Sequence, residues 1–303
     1  MCIICRNKLY PERVSLEQEV LIIDGCEEIK EISGLKNISK LVIKNCPNLE
    51  KIWDIIIIGD INYCDINKCN KLRKIGAIKG ANSIKINYCI NLETINNFND
   101  VININISGCS NLKEIEYLIG NSENRDGEFY IKNCNSLNKI SFISNFTLLN
   151  IEECKNLEFI DYINNIYIIE INNCININKI EHLECIDQIY IIGGILDKLE
   201  EMSDLSNMKL FIDNYINLCN ITKITKFNDI GIFITKDNYK DSINCCKKLL
   251  NFDCLEKIRN FIILKYYYYE NEGDEEIKII DNYKIQYNSE LLQNELNNKE
   301  LLI

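Results

Sequence analysis

Eight cysteines recur along the chain at an almost constant spacing. They are Cys26, Cys46, Cys69, Cys89, Cys109, Cys134, Cys154 and Cys174. Successive members are separated by 20, 23, 20, 20, 25, 20 and 20 residues. A fixed period of about twenty residues is the sequence signature of a solenoid, in which copies of one coil stack on each other. The spacing therefore predicts that a stack of coils forms most of this protein.

Each coil repeats one set of apolar positions around its cysteine. In the coil that begins at Leu41, this set is Leu41, Ile43, Cys46, Leu49 and Ile52. The first two alternate with polar residues, which is typical of a short strand with one buried face. The later members are three residues apart, which favours a turning arc and not a second strand. A single coil cannot bury its apolar side, so we expect stacking to bury one continuous core.

The sequences of the repeats resemble those of a known family. The segments 45–52 (NCPNLEKI) and 108–115 (GCSNLKEI) resemble short cysteine-bearing leucine-rich repeats. Similar repeats occur in plant cytoplasmic immune receptors and in isoleucine- and asparagine-rich proteins of large DNA viruses and AT-rich protists. The resemblance covers roughly residues 20 to 237. It implies an α/β solenoid: a curved stack of about eleven coils with a parallel sheet on its concave face and few regular helices on its convex side.

Pattern changes divide the chain into three parts. Residues 1–19 are expected to form an N-terminal cap segment, residues 20–237 the solenoid and residues 238–303 a C-terminal cap. Within this cap, apolar residues of segment 239–263 follow a helical spacing. Segments 265–269 and 277–287 are expected to pair as a hairpin, and segment 289–302 is expected to be helical.

Composition limits the compartment and the partners. A column of buried free thiols suits a reducing, cytoplasmic location, because stacked coils hold their Cβ vectors parallel and so disfavour disulfides. The formal net charge of −11 makes nucleic acid an unlikely ligand. No apolar run approaches the ~20 residues that a membrane-spanning helix needs. We therefore expect a protein partner, no membrane association and a monomer.

Residues suited to catalysis or metal binding are scarce. The chain has one histidine, His182, and no phosphate-binding glycine loop, so neither an enzyme nor a cofactor is expected. Cys2 and Cys5 have the spacing of a zinc knuckle and resemble the opening of a RING finger, but a structural zinc site needs four ligands. Capping residues without metal are the prediction, and two chains sharing one ion through these cysteines is the alternative.

The concave face of the sheet is the predicted binding surface. Its lysines gather in the first half and its glutamates in the second, an arrangement that suits a protein ligand. We therefore expect a non-enzymatic protein-binding protein, and the resemblance implies a viral or host-interaction factor. Alternatives are a substrate receptor of a ubiquitin ligase, recruited through the Cys2–Cys5 segment or the C-terminal cap, and a scaffold without a dedicated ligand. The predicted binding residues are Lys44, Asp65, Lys68, Lys85, Tyr88, Tyr130, Lys132, Glu152, Glu170 and Phe211.

Overall fold

The structure is a computed structural model that describes residues 20–59, 62–123 and 126–193, together with the backbone of five later strands. The strands in chain order are β1 (Val20–Asp24), β2 (Glu31–Ile38), β3 (Lys40–Lys44), β4 (Lys51–Ile57), β5 (Tyr63–Asn67), β6 (Lys74–Lys79), β7 (Ser83–Asn87), β8 (Thr94–Val101), β9 (Asn103–Ser107), β10 (Glu114–Gly120), β11 (Glu128–Lys132), β12 (Lys139–Glu152), β13 (Phe159–Asn172), β14 (Lys179–Ile192), β15 (Glu201–Met202), β16 (Lys209–Ile212), β17 (Asp229–Ile234), β18 (Asn260–Tyr267) and β19 (Lys278–Gln286). The described residues contain no helix.

The strands form two parallel stacks on different sides of the solenoid. The first sheet joins β1, β3, β5, β7, β9 and β11 to the C-terminal segments of β12, β13 and β14, and continues into β16, β17 and β18. The second sheet joins β2, β4, β6, β8 and β10 to the N-terminal segments of β12, β13 and β14, and then to β15. Each of the long strands β12, β13 and β14 therefore contributes its N-terminal part to the second sheet and its C-terminal part to the first.

The predicted solenoid and its parallel sheet are confirmed, whereas the prediction of an arc without a second strand is wrong. The difference arises from residues with positive φ. Between the buried residues Ile52 and Ile55, Asp54 has φ 55°, and the neighbouring coils pair around it through Ile52↔Ile75 and Ile55↔Ile78. A left-handed residue turns the chain by an extra step, so side chains three residues apart both point inward. A spacing of three is thus compatible with strand.

The same device makes the corners of every coil that the structure describes. A positive-φ residue directly precedes the cysteine, as at Asn45, Lys68 and Tyr88. The cysteine and the apolar residue three positions later are joined by a turn, in which the amide of Leu49 donates to the carbonyl of Cys46 at 3.4 Å. Asparagine and glycine suit these corners because they tolerate left-handed backbone better than other residues do.

The core is a set of parallel columns of like residues. All five inward positions predicted for the coil at Leu41 are buried, and the same positions are buried in the following coils. The eight repeated cysteines are buried free thiols. The Cys46 thiol donates to the carbonyl of Lys44 at 3.3 Å, and most of the other cysteines make the equivalent contact at 3.5 to 3.7 Å. The cysteine column therefore packs as small apolar side chains with one weak donor each.

The C-terminal region agrees with the sequence prediction in part. Strands β18 and β19 pair antiparallel, as the hairpin prediction requires. The helix predicted over 239–263 is wrong at its end, because Asn260 to Ile263 belong to β18 and pair with β17. The rest of that segment, the helix predicted over 289–302 and the N-terminal segment 1–19 lie outside the described residues.

Candidate binding faces

The outward side of the first sheet, here called the first face, carries most of the predicted binding residues. Asp65, Lys85, Tyr130 and Glu170 lie in one row across the strands, and Lys44, Lys132 and Glu152 lie in the row beside it. Lys68 and Tyr88 occupy the corner that follows this second row. Backbone pairing aligns Phe211 with Tyr190 at the far end, although the Phe211 side chain lies outside the described residues. The alternation of the strand thus assembles the predicted set on one surface.

Salt bridges link neighbouring coils on this face. Lys44 Nζ lies 2.9 Å from Asp65 Oδ2, and Lys132 Nζ lies 2.7 Å from Glu152 Oε1. Each lysine pKa is raised above its ordinary value, first by the hydrogen bond to its carboxylate partner. Lys68 and Lys85 make no salt bridge with any described residue. Those two ammonium groups are therefore the charges on this face most available to a partner.

Two tyrosines add apolar surface to the first face. Tyr88 is 55% exposed, and its ring lies across the backbone of Gly108 in the next coil. A Cβ atom at Gly108 would lie 2.7 Å from Cδ1 of that ring, so only glycine leaves room for it. Tyr130 is half-buried and its hydroxyl donates to Glu128 Oε2 at 3.1 Å. Burial, followed by this hydrogen bond, raises the pKa of Tyr130.

A second surface, on the outward side of the second sheet, carries a column of stacked rings that the sequence analysis did not identify. Tyr117, Phe142, Tyr162 and His182 have positive φ and lie at equivalent corners of successive coils. Their ring centroids are 4.5, 4.7 and 4.5 Å apart, with interplanar angles of 6° or less. We call these four residues the aromatic stack. Each follows the repeated isoleucine by two residues, so comparison of equivalent repeat positions would have revealed it.

Charged side chains lie beside the aromatic stack. Lys139 Nζ lies 3.0 Å from Glu116 Oε1, and Ser141 donates to the same oxygen at 3.1 Å. This carboxylate raises the pKa of Lys139, chiefly through that hydrogen bond. Two coils further along the stack, His182 Nδ1 lies 2.7 Å from Asp161 Oδ1. The second sheet thus presents ring edges bordered by the Lys139–Glu116 ion pair and by the contact between His182 and Asp161.

A groove of about 350 Å³ lies on the second sheet ahead of the stack. Trp53, the only tryptophan, is 47% exposed at this groove, and its indole N–H donates to Glu31. Gly76 and Ala77 leave the space beside it because their side chains are small or absent. A Cβ atom at Gly76 would lie 2.6 Å from Asn96 Oδ1, which shows how closely that amide covers the glycine.

Three further points concern the N-terminal cysteines, membrane-spanning helices and the relation of this chain to known proteins. Cys2 and Cys5 lie outside the described residues. Within the described part of the chain, no helix is long and apolar enough to cross a membrane. Comparison with protein-family models, with curated proteins and with solved structures gave no match.

Proposed function

We propose that this chain is a non-enzymatic binding protein that holds a protein partner on the first face. The observation that carries the proposal is the continuous outward surface of the first sheet, where in-register strands place lysines, carboxylates and tyrosines side by side. A rigid stack with variable outward side chains is the arrangement by which repeat proteins make extended binding surfaces. The resemblance of the repeats suggests that the partner is a host protein.

Charge distribution supports a protein ligand over a small molecule. The first half of the face offers Lys68 and Lys85, neither of which has a salt-bridge partner among the described residues. In the second half, Glu170 accepts a hydrogen bond from the Asn150 amide at 2.6 Å, and Glu153 lies at the corner. A surface with opposite charges at its two ends selects a partner of complementary pattern and fixes its orientation.

Exposed aromatic surface supplies the second element of the proposal. Tyr88 occupies the same corner as Lys68 but in the next coil, directly after the strand that carries Lys85, and it is 55% exposed. Tyrosine is enriched at energetically important positions of protein interfaces, because its ring buries apolar area while its hydroxyl stays hydrogen-bonded. We expect Tyr88 to be the central contact of the lysine-bearing half.

Charge reversal tests this assignment. Immobilised full-length chain would be used to capture partners from a lysate of the cells in which it naturally occurs, with Lys68→Glu/Lys85→Glu as the test variant. The control is Lys113→Glu/Lys155→Glu, which reverses two exposed lysines on the turns between the sheets. We expect the test variant to bind its captured partner about three- to tenfold more weakly and with less salt dependence.

The control decides the outcome. Both pairs make the same change in net charge, so a loss confined to Lys68→Glu/Lys85→Glu places the partner on the first face. Equal binding by the wild type and the test variant would refute the proposed face, as would loss of binding in the control variant alone.

A further inference from the structure

Three residues with metal-binding side chains meet at the end of the aromatic stack. Asp161, Glu181 and His182 each offer one ligand atom, and these atoms all lie within 4.8 Å of one another. His182 is the only histidine in the chain. The cluster lies on the outward side of the second sheet, away from the residues assigned to protein binding.

The coil register brings the three side chains together. Asp161 in β13 pairs with Glu181 in β14, so their carboxylates project from adjacent strands on the same side of the sheet. His182 follows directly and has φ 49°, which turns its ring back over the preceding coil. Its Nδ1 atom then lies 2.7 Å from Asp161 Oδ1. A separation of 20 residues in sequence thus becomes one strand spacing in space.

Neighbouring groups hold these side chains in place. The imidazole stacks on Tyr162 with a centroid distance of 4.5 Å and an interplanar angle of 4°. The amide of Tyr162 donates to Asp161 Oδ1 at 3.0 Å, and Lys179 Nζ lies 2.7 Å from Glu181 Oε1. Such supporting contacts orient metal ligands and reduce the cost of assembling them. The His182 side chain is about half exposed, so an ion in solvent can reach it.

Chemistry of the donors identifies the ion. One imidazole nitrogen and two carboxylate oxygens suit borderline divalent cations such as Zn²⁺, whereas Mg²⁺ and Ca²⁺ favour sites built from oxygen alone. We propose that Asp161, Glu181 and His182 bind a divalent transition-metal ion of the zinc class, with water completing the coordination. The ion takes the place of the direct contact between His182 Nδ1 and Asp161 Oδ1, and it ties β13 to β14.

The other coils within residues 20–193 do not repeat this donor set. The two positions equivalent to Glu181 and His182 hold no histidine and no pair of ligands in the other described coils. They are Ser33 and Gly34, Trp53 and Asp54, Gly76 and Ala77, Asn96 and Asn97, Glu116 and Tyr117, Ser141 and Phe142, and Asp161 and Tyr162. The arrangement therefore belongs to a single place in the described solenoid and is no consequence of the repeat.

Histidine-selective isotope labelling of the full chain gives a direct test, because one residue produces all imidazole signals. We expect addition of Zn²⁺ to shift these signals and to saturate at one ion for each chain at this site. The shift should weaken in acidic buffer because protons compete with the metal for the ligands. Zn²⁺ should also raise the melting temperature, since it binds the folded state.

Variants separate this site from the cysteines. His182→Gln should abolish the stabilisation by Zn²⁺, and Asp161→Asn should weaken zinc affinity at least tenfold. Glu116→Gln, which removes a carboxylate from the same row beside another ring, and Cys2→Ser/Cys5→Ser should leave the imidazole shift unchanged. Each variant is first shown to melt near the wild-type temperature without metal.

Two results would overturn the proposal. One is an imidazole spectrum that does not respond to Zn²⁺ while other parts of the chain bind it. The other is a melting temperature that Zn²⁺ raises equally in the wild type and in His182→Gln. Neither result bears on the first face, so this test and the capture experiment can fail independently.

Discussion

Replacement of Ile95 tests the proposed coil register. Ile95 is fully buried in β8, and its partners in the adjacent coils are Ile75 and Ile115, both also fully buried. Ile95→Ala removes atoms from a column that is closed on both sides, so it should cost about 2–5 kcal/mol of unfolding free energy. Ile95→Asp adds an unpaired carboxylate to the same place and should cost more.

The size of this loss makes the assay simple. Whole domains are stable by about 5–15 kcal/mol, so Ile95→Asp should unfold the solenoid locally or entirely. Denaturant-induced unfolding, followed by circular dichroism, would give the midpoint for the wild type and each variant. The control is Asn99→Asp, which introduces the same charge at an exposed position of the same strand. A wild-type midpoint for Ile95→Asp, or an equal loss in the control, would refute the register.

Two other predictions follow from burial and backbone geometry. Burial raises the pKa of the Cys64 thiol, whereas Cys185 is exposed. At neutral pH we therefore expect an alkylating reagent to modify Cys185 well before Cys64 or Cys89, as measured by peptide mass spectrometry. Disulfides between consecutive cysteines in freshly isolated protein would contradict the predicted reducing compartment. Gly80→Ala should lower the melting temperature clearly more than Gly25→Ala. Both glycines have positive φ, 77° and 63°, so both variants strain the backbone, but a Cβ atom at Gly80 would also lie 2.6 Å from the carbonyl oxygen of Ile57, whereas Gly25 has no atom within 4 Å of that position. Equal melting temperatures would show that this close contact is unimportant.

Much of the fold could be predicted from the sequence because the same apolar positions recur in coil after coil. The period of the cysteines predicts the stack, and the alternation at Leu41 and Ile43 predicts the first sheet. The second sheet was missed because spacing alone does not show where the backbone becomes left-handed. Ala77 and Tyr117 have positive φ although neither is glycine, asparagine or aspartate, so nothing in their residue type indicates a corner.

The candidate surfaces could likewise be predicted only in part. Strand alternation was enough to place Lys44, Asp65 and Lys85 on one face, because side chains two residues apart always share a side. The salt bridges between coils could not be predicted in this way, whereas the aromatic stack could have been found by comparing equivalent positions of the repeats. Phe142 and Tyr162 are 20 residues apart in sequence, but their rings lie 4.7 Å apart. Both residues follow the repeated isoleucine by two positions, which indicates that they are neighbours in the stack. Their exposure and the parallel orientation of their rings could not be predicted from that spacing.

The most direct test of the proposed function is oxidative footprinting of the chain with and without its captured partner. Tyr88 reports on the first face, while Tyr117 and Tyr162 report on the second sheet, and all three are similarly exposed in the chain alone. The proposal predicts that the partner protects Tyr88 from modification and leaves Tyr117 and Tyr162 as reactive as before. Protection of Tyr117 and Tyr162, with Tyr88 still fully reactive, would contradict it and assign binding to the second sheet.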